Sequence, residues 1–214
     1  MPVTTVARLV AREVRVELAG HESSITVFPF VVAGVLLAGL AYGPVPRVLE
    51  AVAPGTVWIV VLFAAAPLAR GVAAAERDEG AWDLLRGLAS PGQLLAGKIL
   101  GLWLPLTIAW AIVSALVTLV FPAPLPAAAL VAGPLGTLGL AGLVVAFGAL
   151  LVGTRRRVGL LAVLLLPAGL PVLLAGTAVG KPGVPALPWL VLLTAYDLLV
   201  SVAVWAVHPV LLEE

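Results

Sequence analysis

The chain has 214 residues, 62% of them hydrophobic and only 11% charged, with a formal net charge of +1 and a mean hydropathy of +1.18. Soluble domains carry about 25% charged residues, so a water-surrounded core cannot hold this composition, and lipid must solvate most of it. The absence of cysteine excludes disulfides, thiolate metal sites and C-x-x-C redox chemistry.

Residues 1–23 hold Arg8, Arg12 and Arg15 on one helical face and Val10, Val14 and Leu18 on another, with Glu13 and Glu17 opposite the arginines. This pattern predicts an interfacial helix along an anionic leaflet, the alternative being an ordinary positive-inside anchor. With Glu22 also present and no apolar h-region, no cleavable signal peptide is expected, so targeting falls to the first span. Six apolar segments follow, at roughly 24–42, 56–75, 99–121, 127–153, 158–179 and 187–209, each near the ~20 residues that cross a hydrocarbon core. Gly43-Pro44 with Pro46, Pro54-Gly55, the Pro122, Pro124 and Pro126 run, and Pro182-Gly183 with Pro185 and Pro188 punctuate them. Gly133-Pro134 predicts a kink or an extra turn at the start of the fourth. The fold class expected is all-α: a polytopic membrane bundle of six transmembrane helices forming a single transmembrane domain over 1–214.

Lys and Arg set the orientation. Arg8, Arg12, Arg15, Arg70, Arg77, Arg86, Lys98, Arg155, Arg156 and Arg157 fall on one side, Arg47 and Lys181 on the other. Both termini, the 76–98 loop and the basic turn Arg155-Arg156-Arg157 are therefore expected in the cytoplasm. The opposite connections are short and proline-rich, which argues against an extracellular enzyme or receptor.

The segment from Glu76 to Lys98 reads ERDEGAWDLLRGLASPGQLLAGK. At 100° per residue, Glu76, Glu79, Asp83 and Arg86 share one face and Trp82, Leu85, Leu88 and Ala89 the other, predicting a short amphipathic helix at the membrane surface. Ser90 is a good N-cap, Pro91 suits the first helical position, and Gln93 completes a capping box. A second helix then runs through Lys98 into the third span. The bland alternative is a solvated interfacial helix with no partner. Gly92 to Ile99 misses the Walker A pattern, because Ile99 replaces the Mg²⁺-binding hydroxyl and no strand precedes it. If ATP drives this protein, a separate chain hydrolyses it.

Asp197 is the only acid well inside a span. Intramembrane acids are costly and face the bundle or water. Asp197 is therefore either a gating or substrate-path residue or a structural hydrogen-bonding group, with Arg70 as an available partner. Gly133, Gly136, Gly139 and Gly142 recur every three residues and predict close helix packing. Gly34-x-x-x-Ala38 and Gly97-x-x-x-Gly101 are similar small-residue pairs that could support dimerisation. Trp58 and Trp189 are expected as interfacial belt residues. His21, His208 and Met1 lie at segment ends and read as interfacial groups rather than haem ligands. No H-E-x-x-H, G-x-S-x-G or D-x-D cluster is present, so no catalytic residue, metal site, nucleic-acid partner or enzymatic activity is expected.

The run Glu76-Arg77-x-x-Gly80-x-x-x-Leu84-Leu85-x-x-Leu88-x-Ser90-Pro91, followed by Gly97-Lys98, resembles the cytoplasmic loop of ABC exporter permeases. Gly148 to Leu161, with its three arginines, and the sequel Leu166-Pro167 and Leu170-Pro171-Val172-Leu173 resemble the basic turn and proline-containing fifth span of the haem exporter protein B (CcmB) family. The resemblance covers most of residues 8–175. It implies that Glu76, Arg77, Glu79, Gly80, Trp82, Leu85, Leu88, Ser90 and Pro91 form a coupling helix that docks on a cytoplasmic ATPase subunit (CcmA-like). It also implies a homodimeric or otherwise paired permease, a haem-handling membrane subunit (CcmC-like), a periplasmic haem chaperone (CcmE-like), and haem as the transported or handled ligand in a bacterial inner membrane. Trp82 departs from the pattern, which has a smaller polar residue there. Two alternatives stay open: the permease of another ABC exporter, for a lipid or drug, and a membrane scaffold or ion-coupled carrier without an ATPase. The lone Asp197 argues against ion coupling.

Overall fold

The computed structural model describes residues 10–11, 21–78, 91–151 and 164–211. Six helices carry nearly all of them: α1 (His21–Tyr42), α2 (Pro46–Asp78), α3 (Pro91–Val120), α4 (Ala129–Leu151), α5 (Leu170–Val179) and α6 (Leu187–Leu211). Helix is the form lipid requires, since it satisfies every interior backbone group within one segment. Prolines sit at the first or second position of α2, α3, α5 and α6, where the missing N–H has no intrahelical partner to lose.

Among the described residues, four helices are long and apolar enough to cross a membrane, at Pro46–Ala65, Gly92–Val120, Ala129–Phe147 and Leu187–Ala206. Two shorter apolar helices, Pro29–Tyr42 and Leu170–Val179, accompany them. The first lies in the segment expected at 24–42. The second lies in the segment expected at 158–179, of which 164–179 is described; a helical piece at 164–168 is broken at Gly169 before α5 begins.

Sequential helices are joined at one end of the bundle by the turns at 43–45, 121–128 and 180–186, which makes this the proline-rich end. Gly43 follows the last turn of α1 with φ +73°, a left-handed conformation that suits glycine after a helix. The Val45 carbonyl then accepts from Val48 N at 3.0 Å and Leu49 N at 3.1 Å, starting α2. Phe121, fully buried, plugs the end of α3 and donates its backbone N–H to Val117 O at 2.7 Å.

The second helix corrects one expectation. Pro54-Gly55 does not separate elements; α2 runs through it from Pro46 to Asp78. Gly180, the C-cap of α5, lies directly against the Pro54 ring, so this proline packs against another helix instead of ending its own. Pro134 is likewise inside α4.

Helix α4 is the hub. Its membrane window is 61% buried, against 22% for α6, and it packs on α2, α3, α5 and α6. The glycines predicted to allow close packing do so, and their spacing explains how one helix serves so many neighbours. Three residues turn a helix by 300°, so each successive glycine points 60° away from the last. A side chain at Gly133 would meet Trp110 on α3; at Gly136, Trp58 on α2 and Val172 on α5; at Gly139, Tyr196 and Asp197 on α6; and at Gly142, Val200 on α6.

Trp58 is therefore not a belt residue. It is 4% exposed and wedged between the backbones of Gly136 and Gly176, because two facing glycines leave a slot wide enough for an indole. Trp189 stays half-buried near the start of α6.

A polar lock joins α3 to α4. Trp103 Nε1 donates to Pro134 O at 2.8 Å, and the Thr107 and Thr137 hydroxyls share a hydrogen bond of 2.8 Å. Thr137 is fully buried and also reaches Gly133 O at 2.9 Å. Interhelical hydrogen bonds in membranes average about 0.6 kcal/mol. Thr137→Val should thus lower stability by about 0.5–1.5 kcal/mol, read as a small drop in the unfolding midpoint of the detergent-solubilised protein. A variant as stable as the parent would show that the lock contributes nothing.

Candidate functional site

The charged segment is delivered by α2 and α3. The described parts of α2 and α3 run to Asp78 and from Pro91, both at the end opposite the proline-rich turns. Glu76 and Arg77 occupy the last turn of α2. Pro91 is the first described residue of α3, and the Ser90 cap expected before it lies outside the described residues. Glu79, Gly80, Trp82, Leu85, Leu88 and Ser90 lie outside the described residues, and so do Arg155, Arg156 and Arg157. α2 and α3 pack side by side and both also pack on α4.

The second candidate is Asp197, at the seam between α4 and α6. It is 6% exposed, and neither carboxyl oxygen has a hydrogen-bond partner among the described residues. A β-carbon at Gly139 would stand 2.5 Å from Asp197 Oδ1, so only glycine at 139 admits the carboxyl to this position. The neighbouring Tyr196 hydroxyl donates to Ala168 O beside the break before α5. The structural hydrogen bond weighed for Asp197 is thus not formed here.

Leu62 meets Leu140 around Gly169, which sets it at about the depth of Gly139 and Asp197. Arg70 stands eight residues further along α2, about 12 Å towards the charged end at the helical rise; its side chain lies outside the described residues.

Sequence reasoning located Asp197 from its isolation in an apolar run but missed the Gly139 notch that receives it. A signal was available: Gly139 sits in the three-residue glycine series, whose rotation assigns each member to a different neighbour. Sequence reasoning also missed the polar lock of Trp103, Thr107 and Thr137. Threonines and indoles in an apolar stretch read as ordinary span residues until their helices are paired. Among the described residues, no cluster of three or more His, Asp or Glu side chains could hold a metal.

The profile of a family described as CcmB protein matches residues 4–210. The chain is similar to a protein named Heme exporter protein B from Pseudomonas aeruginosa, with 31% identity over 201 residues covering 89% of each chain. It is also similar to a Heme exporter protein B from Bradyrhizobium diazoefficiens, with 29% identity over 185 residues covering 84% of this chain and 82% of the relative.

Proposed function

The chain belongs to the CcmB protein family, and from that premise we propose that it is the membrane permease subunit of an ABC-type haem exporter serving cytochrome c biogenesis. The observation that carries the mechanism is the course of α2 and α3, which end and begin on either side of the charged connection 79–90. In this reading six spans cross a bacterial inner membrane, with the 158–179 segment as the fifth, and both termini, 79–90 and Arg155–Arg157 face the cytoplasm by the positive-inside rule. Residues 1–23 lie along the inner leaflet.

ATP is hydrolysed by a separate CcmA-like subunit. Its closure presses on the amphipathic face of Trp82, Leu85 and Leu88, with Glu76, Arg77 and Glu79 supplying charge contacts and Gly80, Ser90 and Pro91 shaping the elbow. The permease moves its spans in response and performs no covalent chemistry of its own. It works as a homodimer or otherwise paired permease beside a CcmC-like haem-handling subunit, and the work done is export of haem or release of a haem-loaded CcmE-like chaperone. Affinity isolation of the tagged chain in mild detergent tests the assembly: an ATP-hydrolysing subunit and a haem-handling membrane subunit should accompany it, and their absence from an intact preparation would remove the reading.

Asp197 acts in this cycle as a gating residue at the α4–α6 seam. A buried carboxyl without a hydrogen-bond partner is costly, which biases the seam towards any state that gives Asp197 a donor. Asp197→Asn keeps the shape and removes the ability to carry charge. It should leave assembly intact while slowing the coupled ATPase at least about fivefold, on the scale of a coupling free energy of about 1 kcal/mol. Unchanged turnover would reduce Asp197 to a structural group.

A further inference from the structure

A cavity opens at the proline-rich end among α2, α3, α4 and the end of α5, and its lining has one electrostatic character. Glu50 stands at the rim, Trp58 and Trp110 form walls, Ser114 and Thr118 line the α3 side, and Pro124 borders the mouth. The rest of the wall is chiefly alanine, proline and valine, and no lysine or arginine lines it. Ser114 is 2% exposed, and its Oγ has no hydrogen-bond partner. Thr118 spends its one hydroxyl proton on Ala115 O at 2.9 Å, so its lone pairs remain to accept.

The groups presented are therefore a carboxylate, two hydroxyl oxygens and two indoles, whose ring faces carry negative potential. Such a set favours a cation that donates hydrogen bonds. A single carboxylate with no other metal-ligating side chain does not make a divalent metal site. The cavity is open at its mouth, and the space of about 40 Å³ inside it has room for roughly three water-sized groups. That suits a compact ammonium with a slim stem.

We propose that this pocket binds a primary ammonium group carried on a short apolar stem. Glu50 is the counter-ion, the Trp58 and Trp110 indoles embrace the cation and its first methylenes, and Ser114 and Thr118 accept its N–H bonds. Two sources share this chemistry: the headgroup of an aminophospholipid at the membrane boundary, and a free alkylamine. The site is independent of ATPase coupling, and its occupancy is measurable on the isolated full-length chain.

The chain has no cysteine, so Leu125→Cys, which lies on the lining but takes no part in the proposed chemistry, supplies a single reporter thiol. The measurement is its rate of maleimide labelling in phosphatidylcholine nanodiscs, which expose both faces. Pentylammonium should slow labelling at least about fivefold, on the scale of a desolvated cation–π contact. Pentanol, with the same stem and no charge, should not. Glu50→Gln, at an exposed position that leaves the fold intact by gel filtration, should abolish the protection. A thiol at Leu119, exposed on the same helix as Ser114 and away from the cavity, should label at one rate throughout. Slow labelling in phosphatidylethanolamine nanodiscs without added amine assigns the lipid as the source; equal rates in the two lipids, with pentylammonium still protective, assign the free amine. Absence of protection by pentylammonium, equal protection by pentanol, or protection that survives Glu50→Gln each overturns the proposal.

Discussion

Gly176→Ala destabilises the bundle while Gly92→Ala, the same chemical change in another helix, does not. An added methyl at Gly176 lands on the indole of Trp58. The far edge of the indole lies against Gly136, so Trp58 can yield only towards the cavity that it lines together with Gly176. Overpacking costs about 1–3 kcal/mol, and this partial relief places the cost at the low end of that range. At Gly92, in the first turn of α3, the methyl meets nothing within 4 Å, and replacing glycine in a helix gains about 0.4–1 kcal/mol from the unfolded chain. Unfolding midpoints of the two purified variants should move in opposite directions. Trp58→Leu combined with Gly176→Ala should cost less than the two single changes added together, since residues in contact couple by about 0.5–3 kcal/mol. Equal midpoints for the two glycine variants would mean that the indole does not occupy the Gly136–Gly176 slot.

Charge reversal at Glu76 and Glu79 removes the ATPase without removing the membrane protein. Glu76 sits in the last described turn of α2, in the charged stretch Glu76-Arg77-Asp78-Glu79 that follows the apolar run, so lysine there replaces one charge by another and leaves the apolar run unchanged. The double variant Glu76→Lys, Glu79→Lys should insert and elute as the parent does, yet retain the ATPase subunit at least about tenfold less, since like charges facing one another across an interface cost several kcal/mol. Raising salt should weaken the parent complex in the same direction, because exposed charge pairs are screened over about 8–10 Å. Normal ATPase retention by the variant would place the dock elsewhere on the chain.

The particular residues show how far local chemistry reaches. Composition alone requires lipid-solvated helices, and the proline and glycine runs mark the three turns of one end, since those signals act within a few residues. Pro54-Gly55 misled because a proline's effect depends on what packs against it, here Gly180 from a helix more than a hundred positions away. Trp58 misled for the same reason: distance from a proline-rich turn suggests a belt position, and only the pairing of α2 with α4 and α5 reveals the slot. The glycine series was legible as a packing device, and its threefold spacing carried the further information that α4 has several neighbours. Asp197 was legible as an anomaly; its lack of a partner was not, because that is a property of the assembled seam. The charged connection stands out in an apolar chain without any knowledge of packing, while residues 79–90 lie outside the described residues.

The account rests on 79–90 being gripped by a chain that hydrolyses ATP. The most direct measurement replaces Trp82 with a photo-crosslinking residue in cells carrying the complete system and identifies what is captured on illumination. The account predicts an ATP-hydrolysing subunit, captured in different yield with and without bound nucleotide. Capture of lipid alone from an intact, functioning assembly would contradict it.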